Sequence, residues 1–172
     1  NCARPAPTVY MAKSKTPVTA AIRQLRQARI DFSEYLYDYV EHGGAAHAAN
    51  ELKLEVNHVI KTLVFSDERD SVYLMLMHGN LEVSAKNLAR QLDCKSLNSS
   101  TAEAALKHTG YLVGGISPFG TRKRLPVAVE SSILDLPQIF INGGKRGFLV
   151  GLPPQTLVDL LQPKLVSVAI KP

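Results

Sequence analysis

The sequence predicts an α+β fold, a mixed sheet with helices packed against it, in a single domain. Three observations predict it. Apolar residues recur with a period near two in some segments and near 3.6 in others, and the two kinds are interleaved. The charged turn Asp67-Glu-Arg-Asp70 joins two strand-like runs so closely that they must pair antiparallel. A chain of 172 residues, 45% of them hydrophobic, is enough for one core and offers no linker between two.

Taken in order, Thr16-Pro17 opens an amphipathic helix, with Thr as N-cap and Pro at the first helical position. Val18, Ala21, Ile22 and Leu25 form its apolar face, and Arg23, Arg26 and Arg29 lie off it. Phe32 to Val40 reads as an aromatic-rich strand, broken by Gly43-Gly44, and Ala45 to Leu54 as a second helix. Val59 to Ser66 and Val72 to Met77 are the hairpin strands. Ser84 caps a helix through Leu92, and Ser100-Thr-Ala-Glu103 has capping-box spacing for another that ends before Gly110. Shorter strands follow at Leu125–Val129, Gln138–Asn142, Phe148–Leu152 and Leu165–Ile170, with a last helix from Pro153-Pro154 to Leu161.

Charge is modest: 20 Lys and Arg against 15 Asp and Glu give a net +5. Such an excess speaks to non-specific association rather than to fold. Its placement says more, because Arg122-Lys123-Arg124 and Lys145-Arg146 fall inside glycine-rich segments. No apolar run approaches the ~20 residues that cross a bilayer. The first ten residues lack a signal-peptide core. They precede Met11-Ala-Lys-Ser-Lys, a natural-looking start, and are set aside as an extension of a domain spanning 11–172. Cys2 and Cys94 belong to no metal or redox spacing, so a reducing cytoplasm is expected.

The ready-made catalytic kits are missing. His42, His47, His58, His78 and His108 show no metal-binding spacing, and no metal or cofactor is expected. There is no nucleophile elbow around Ser117, and Gly143-Gly-Lys-Arg-Gly147 is no phosphate loop. Lys61 stands out within the apolar run Ile60-Lys-Thr-Leu-Val-Phe65. It is either a charge guarding a solvated strand face or a partly desolvated ammonium that binds a carbonyl or phosphate oxygen. Tyr35, Tyr37 and Tyr39 alternate onto one face, as an aromatic stripe or a pocket wall. Gly114-Gly115 is either a tight turn or a pair of N–H donors for an ester carbonyl. Arg122-Lys123-Arg124 is either a solvated loop or a phosphate clamp.

Several long motifs, in order, resemble one family. They are Lys61-Thr62-Leu63, Thr109-Gly-Tyr-Leu-Val-Gly-Gly-Ile-Ser-Pro118, Lys123-Arg-Leu-Pro126 and Gly143-Gly-Lys-Arg-Gly147. The chain from Thr16 to about Ala169 resembles the YbaK-type aminoacyl-tRNA deacylases, free-standing editing proteins related to the insertion domain of prolyl-tRNA synthetase. That resemblance implies a mostly antiparallel, curved, barrel-like sheet flanked by helices. It implies release of a wrong amino acid, chiefly cysteine, from tRNA for proline, because small side chains differ by only ~1–3 kcal/mol of pocket binding. It also implies the acceptor end of that tRNA and prolyl-tRNA synthetase as partners. Lys61 matches the family's essential lysine, Thr62 and Tyr37 neighbouring pocket positions, Gly114 and Pro118 its G-x-x-x-P loop, and Gly143 and Gly144 the turn before the basic pair. Lys61, Gly114 and Gly115 are expected to be catalytic, and Tyr37, Thr62, Ile116, Ser117, Pro118, Asn142, Gly143 and Gly144 to bind substrate. Arg122, Lys123, Arg124, Lys145 and Arg146 are expected to meet tRNA.

Three places depart from that pattern. Asn142 stands where relatives often have Ser, Leu149 where some have Asp, and Gly43-Gly44 where an aromatic residue is frequent. Since no nucleophile is evident, the resemblance implies attack by the substrate's own thiol. Alternatives are an alanine-specific deacylase using water, a non-catalytic tRNA-binding module, and a regulatory protein that holds an amino acid or nucleotide.

Overall fold

The computed structural model describes residues 16–172, so the expectations for residues 1–10 and Cys2 lie outside it. Helix α1, Ala20–Gln27, buries Ala21, Ile22 and Leu25, the face the sequence predicts. Its cap is Thr19 rather than Thr16. The Thr19 hydroxyl accepts from the Ile22 N–H at 3.1 Å and donates to the Gly143 carbonyl. Pro17 therefore lies in the approach to the helix.

Strand β1 covers only Ser33–Leu36, shorter than the expected Phe32–Val40. The Tyr37 N–H still bonds the Gly147 carbonyl in register (3.0 Å), but Gly147 has φ +77°, so the partner backbone leaves the extended conformation there and the ladder stops. The side-chain alternation outlasts it: Tyr37 and Tyr39 are half-buried while Leu36, Asp38 and Val40 are exposed. Helix α2 is Gly44–Leu52. Strands β2, Val59–Asp67, and β3, Val72–His78, form the expected antiparallel hairpin, with Lys61 opposite Met77.

Two short strands escape the sequence reading: β4, Glu82–Val83, and β5, Leu97–Ser99. Between them Ser84 caps α3, Ala85–Gln91, as expected. Helix α4, Ala102–Thr109, is capped by Thr101, whose hydroxyl accepts from Ala104 N–H at 3.1 Å. Glu103 is then the second helical residue, one position short of reaching back as a capping box does. The remaining strands are β6, Val127–Glu130, β7, Ile139–Asn142, and β8, Phe148–Leu152. After α5, Gln155–Leu161, the expected final strand is two separate ones, β9, Lys164–Val166, and β10, Ala169–Ile170.

The main sheet runs β1-β8-β7-β2-β3-β6-β9, with β5 also on β2; β4 and β10 make a separate pair. Its β1–β8, β8–β7, β2–β3 and β2–β5 pairs are antiparallel, and β7–β2, β3–β6 and β6–β9 are parallel. The fold is thus the α+β arrangement the sequence predicts, a mixed, mostly antiparallel sheet flanked by helices, whose strand order does not close into a barrel among the described residues. Strand β2 is its centre, paired to β3, β5 and β7.

One face of the sheet carries the largest core cluster, which includes Ile22, Leu25, Ile60, Val64 and Phe119. The other face carries two clusters, one under α2 around Val59 and Leu149, the other under α3 around Phe65 and Met77. Because side chains alternate along a strand, Val59, Lys61 and Phe65 share that second face. Lys61 falls in the gap between the two clusters.

Phe119 pins the segment 114–120 to the main core: it is fully buried, and its carbonyl accepts from the Tyr111 hydroxyl at 2.6 Å. Phe119→Ala is expected to cost about 3–5 kcal/mol of unfolding free energy by urea denaturation, as large core truncations do. A loss below ~1 kcal/mol would show that the segment is not anchored there.

Candidate active site

A cavity of about 520 Å³ opens beside Lys61. Strand β2 supplies Lys61 and Thr62 to it, the segment after β1 supplies Tyr37 and Tyr39, and the loop after α4 supplies Gly114 and Ile116. Asn142 and Arg146 come from either side of the turn between β7 and β8. Seven of the expected site residues thus meet: Lys61, Thr62, Tyr37, Gly114, Ile116, Asn142 and Arg146.

Lys61 is held, not free. Its ammonium donates to the Leu81 carbonyl at 2.5 Å, one of three donors, so two remain for a ligand. Burial among apolar neighbours lowers its pKa below the usual lysine value, and the Glu82 carboxylate pulls weakly the other way. Beside it, the buried Thr62 hydroxyl makes no hydrogen bond among the described residues. A buried hydroxyl left unpaired costs about 1–3 kcal/mol, so its position is explained if an entering group accepts from it. Burial raises the Tyr37 phenol above its usual pKa, keeping it a neutral donor.

The loop at Gly114 is clamped to the β7–β8 turn. The Asn142 amide donates to the Gly114 carbonyl at 3.1 Å, and its oxygen accepts from Gly144 N–H at 2.7 Å and Lys145 N–H at 3.1 Å. Arg146 adds a bond from Nε to the Val113 carbonyl (2.9 Å) and lies 5.2 Å above the Tyr39 ring. The approach is close enough to require glycine. A Cβ on Gly115 would lie 2.8 Å from the Arg146 backbone nitrogen, and one on Gly114, at φ +91°, 2.6 Å from the Tyr39 hydroxyl.

That geometry corrects one expectation. The Gly115 N–H bonds the Leu112 carbonyl at 2.8 Å, so it is not a donor to an ester. The backbone donors beside the cavity are instead those of Gly114 and Ile116, which make no hydrogen bond among the described residues. Asn142 likewise acts first as a strut between two backbone segments.

Other expected residues stand outside the cavity. Ser117 is fully buried and accepts from Phe119 N–H at 3.2 Å. Gly143 and Gly144 form the turn behind Asn142, and Lys145 is exposed on it. Pro118 and Arg124 line a second cavity of about 480 Å³, on the other side of the 114–120 segment, and Arg122 and Lys123 are exposed nearby in sequence. Leu149 is buried in the apolar cluster under α2 and forms part of the first cavity's wall. Sequence reading missed Glu41, His42 and His47 as lining residues. Their only signal was proximity to Gly43-Gly44. Among the described residues no cluster of three or more His, Cys, Asp or Glu side chains could hold a metal ion. No helix among them is long and apolar enough to cross a membrane.

A cavity with a desolvated cation, unpaired hydroxyl and amide donors and basic residues at its edge is a site for an oxygen-rich, anionic ligand. Comparison with known proteins places it more closely. Residues 42–160 match the aminoacyl-tRNA editing domain, and the chain belongs to that family. Over 163 residues it is 29% identical to EbsC of Enterococcus faecalis, named as a candidate Cys-tRNA(Pro)/Cys-tRNA(Cys) deacylase; the match covers 94% of this chain and 99% of that protein. A proline–tRNA ligase of Brachyspira hyodysenteriae is 27% identical over 86 residues, half of this chain but only 15% of the ligase. The fold matches a crystal structure described as a candidate trans-editing enzyme for prolyl-tRNA synthetase, with a TM-score of 0.77 at 24% identity, over 90% of this chain and 99% of that one.

Two outcomes test the site's construction. Asn142→Ala, which frees the Gly114 carbonyl, is expected to lower ester cleavage about tenfold to a hundredfold through lost positioning, at a stability cost of no more than ~1.5 kcal/mol. Unchanged turnover would remove the strut role. For Lys61, the lowered pKa means that the unfolded chain binds more protons just below pH ~10.4, so stability gains with rising pH there. Relative to Lys61→Met, wild type should therefore gain stability as pH rises towards about 10.4 in urea titrations. A flat difference would place Lys61 in free solvent.

Proposed function

We propose that this protein is an aminoacyl-tRNA deacylase acting in trans, which releases cysteine from tRNA mischarged for proline. The observation that carries the reading is Lys61, a cation held by Leu81 in a cavity whose lining contains no serine or cysteine. Such a site can orient an ester and stabilise charge but offers no obvious nucleophile. Family membership and the likeness to EbsC support the substrate class.

In this reading Lys61 and the Thr62 hydroxyl hold the tRNA terminus or the aminoacyl carbonyl. The N–H groups of Gly114 and Ile116 face the oxyanion that develops on that carbonyl, a role worth about 2.7–4 kcal/mol per donor in other acyl-transfer sites. The thiol of the bound cysteine attacks its own ester carbon, the ester C–O bond breaks, the thiol proton goes to the departing ribose oxygen, and the cysteine leaves as its own cyclic thioester. Holding thiol and carbonyl in attack geometry can supply ~7–11 kcal/mol of the barrier. Arg146, with Lys145 beside it, meets the phosphates of the acceptor end, and prolyl-tRNA synthetase is the partner that would supply tRNA identity.

Deacylation of Cys-tRNA and Ser-tRNA, both on tRNA for proline, is the direct test, because the two side chains are nearly isosteric and only one is a good internal nucleophile. Cysteine should be released at least about a hundredfold faster, and Lys61→Ala should lose that release. Equal rates, or full activity in Lys61→Ala, would overturn the reading.

A further inference from the structure

We propose that Glu41 is a specificity-determining residue, whose carboxylate recognises the α-ammonium of the bound aminoacyl ester. The cavity would then take esters of amino acids and disfavour the same acyl group without its amine. The inference rests on the deacylase reading above, which gives partners to the ester carbonyl and leaves the amino group without one.

An α-amino group has a pKa of about 7.7–8.0 and is largely an ammonium at neutral pH. It donates hydrogen bonds and accepts none, so a cavity that takes it from water must supply acceptors and a compensating charge. Lys61 and Arg146, the cations of the lining, repel it. The wall under α2, with Ala48, Val59 and Leu149, offers it only apolar surface. Among the described residues that line the cavity, Glu41 is the one carboxylate.

The neutral oxygens around the cavity are mostly engaged already. The Asn142 amide oxygen accepts from two N–H groups, those of Gly144 and Lys145. The Gly114 carbonyl accepts from the Asn142 amide, the Val113 carbonyl from Arg146 Nε, and the Val40 carbonyl from Gly43 N–H. The Thr62 hydroxyl is unpaired but carries no charge. Glu41 makes no ion pair among the described residues, so its carboxylate is available.

Backbone sets where Glu41 stands. Gly43 N–H closes a four-residue turn onto the Val40 carbonyl at 3.0 Å, with Glu41 second in the turn and His42 third, at φ +62°. Helix α2 follows at once from Gly44 and buries Ala48 and Ala49 in the cluster around Val59. The turn is thus carried on a packed helix, with Glu41 exposed at the rim of the cavity. A carboxylate in that position keeps its water until a ligand arrives, so no desolvation penalty is incurred in advance. One charge attracts the amino group while two repel it, and the ester enters with its carbonyl towards Lys61 and its amine towards the turn at 40–43.

The test uses two esters on tRNA for proline: Cys-tRNA, and β-mercaptopropionyl-tRNA, which keeps the thiol and the ester and lacks only the amine. The two esters differ in intrinsic reactivity, so the informative quantity is the change in the ratio of their kcat/KM values between wild type and Glu41→Gln. Glutamine keeps the shape and removes the charge. Glu41→Gln is expected to lower kcat/KM for the cysteinyl ester about tenfold and to change that for the mercaptopropionyl ester less than about twofold. A disturbance of the fold or of tRNA binding would move both esters together. An unchanged ratio, whether from equal falls or from none, would overturn the role of Glu41 and leave the deacylase reading standing. Release of neither ester by wild type would overturn both.

Discussion

The site depends on one constraint: a lysine ammonium partly withdrawn from water on the central strand of the sheet. Strand β2 pairs with three other strands, so Lys61 cannot shift without disturbing β3, β5 or β7. Its side chain leaves the sheet in the gap between the cluster under α2 and the cluster under α3. Either cluster, closed over that gap, would bury the charge completely, at a cost of several kcal/mol. The Leu81 carbonyl offsets part of the desolvation and fixes where the charge points. A lysine bound this way is a fixed electrostatic feature rather than a flexible surface charge.

Around that charge the wall is built from backbone more than from side chains. The 114–120 segment is anchored at its far end by Phe119 in the core and by Gly120 N–H on the Gln24 amide (2.5 Å). At its near end Asn142 and Arg146 bind it to the turn between β7 and β8. The turn is in turn tied to α1, because the Thr19 hydroxyl bonds the Gly143 carbonyl. Donors fixed at both ends need no reorganisation when charge develops on a ligand, and that is the condition under which backbone N–H groups stabilise an oxyanion well.

The fold was legible wherever hydrophobic period and turn chemistry agreed. The β2–β3 hairpin, the buried face of α1 and the Ser84 cap of α3 follow directly from local pattern. What stayed hidden was decided by tertiary contact. Strands β4 and β5 are too short to show a period, and β1 ends early because its partner backbone turns away at Gly147, at φ +77°. Of the site, Lys61 was visible because a charge in an apolar strand breaks a strong pattern. The roles of Gly115 and Asn142 were not: the Gly115 N–H is taken by the Leu112 carbonyl of its own turn, and Asn142 braces the Gly114 carbonyl 28 positions away. The place of His47 in the cavity wall was hidden because its ring is held against the Asp38 carbonyl, which no motif encodes.

The departures from the family pattern bear on selectivity. Leu149 packs with Ala48, Val59 and Phe140, so the wall beneath α2 is apolar and offers no acid to a water or an amine. The rim lacks the aromatic residue frequent before α2 and carries Glu41, His42 and His47 instead. A wall of that kind discriminates poorly between side chains that differ by a methylene or a single polar atom. In the proposed reaction discrimination comes from reactivity: a thiol that attacks its own ester separates cysteine from serine by chemistry rather than by shape. The cost of such chemistry is an unpaired Thr62 hydroxyl and a desolvated Lys61, both tolerable because β2 is the most constrained strand of the sheet.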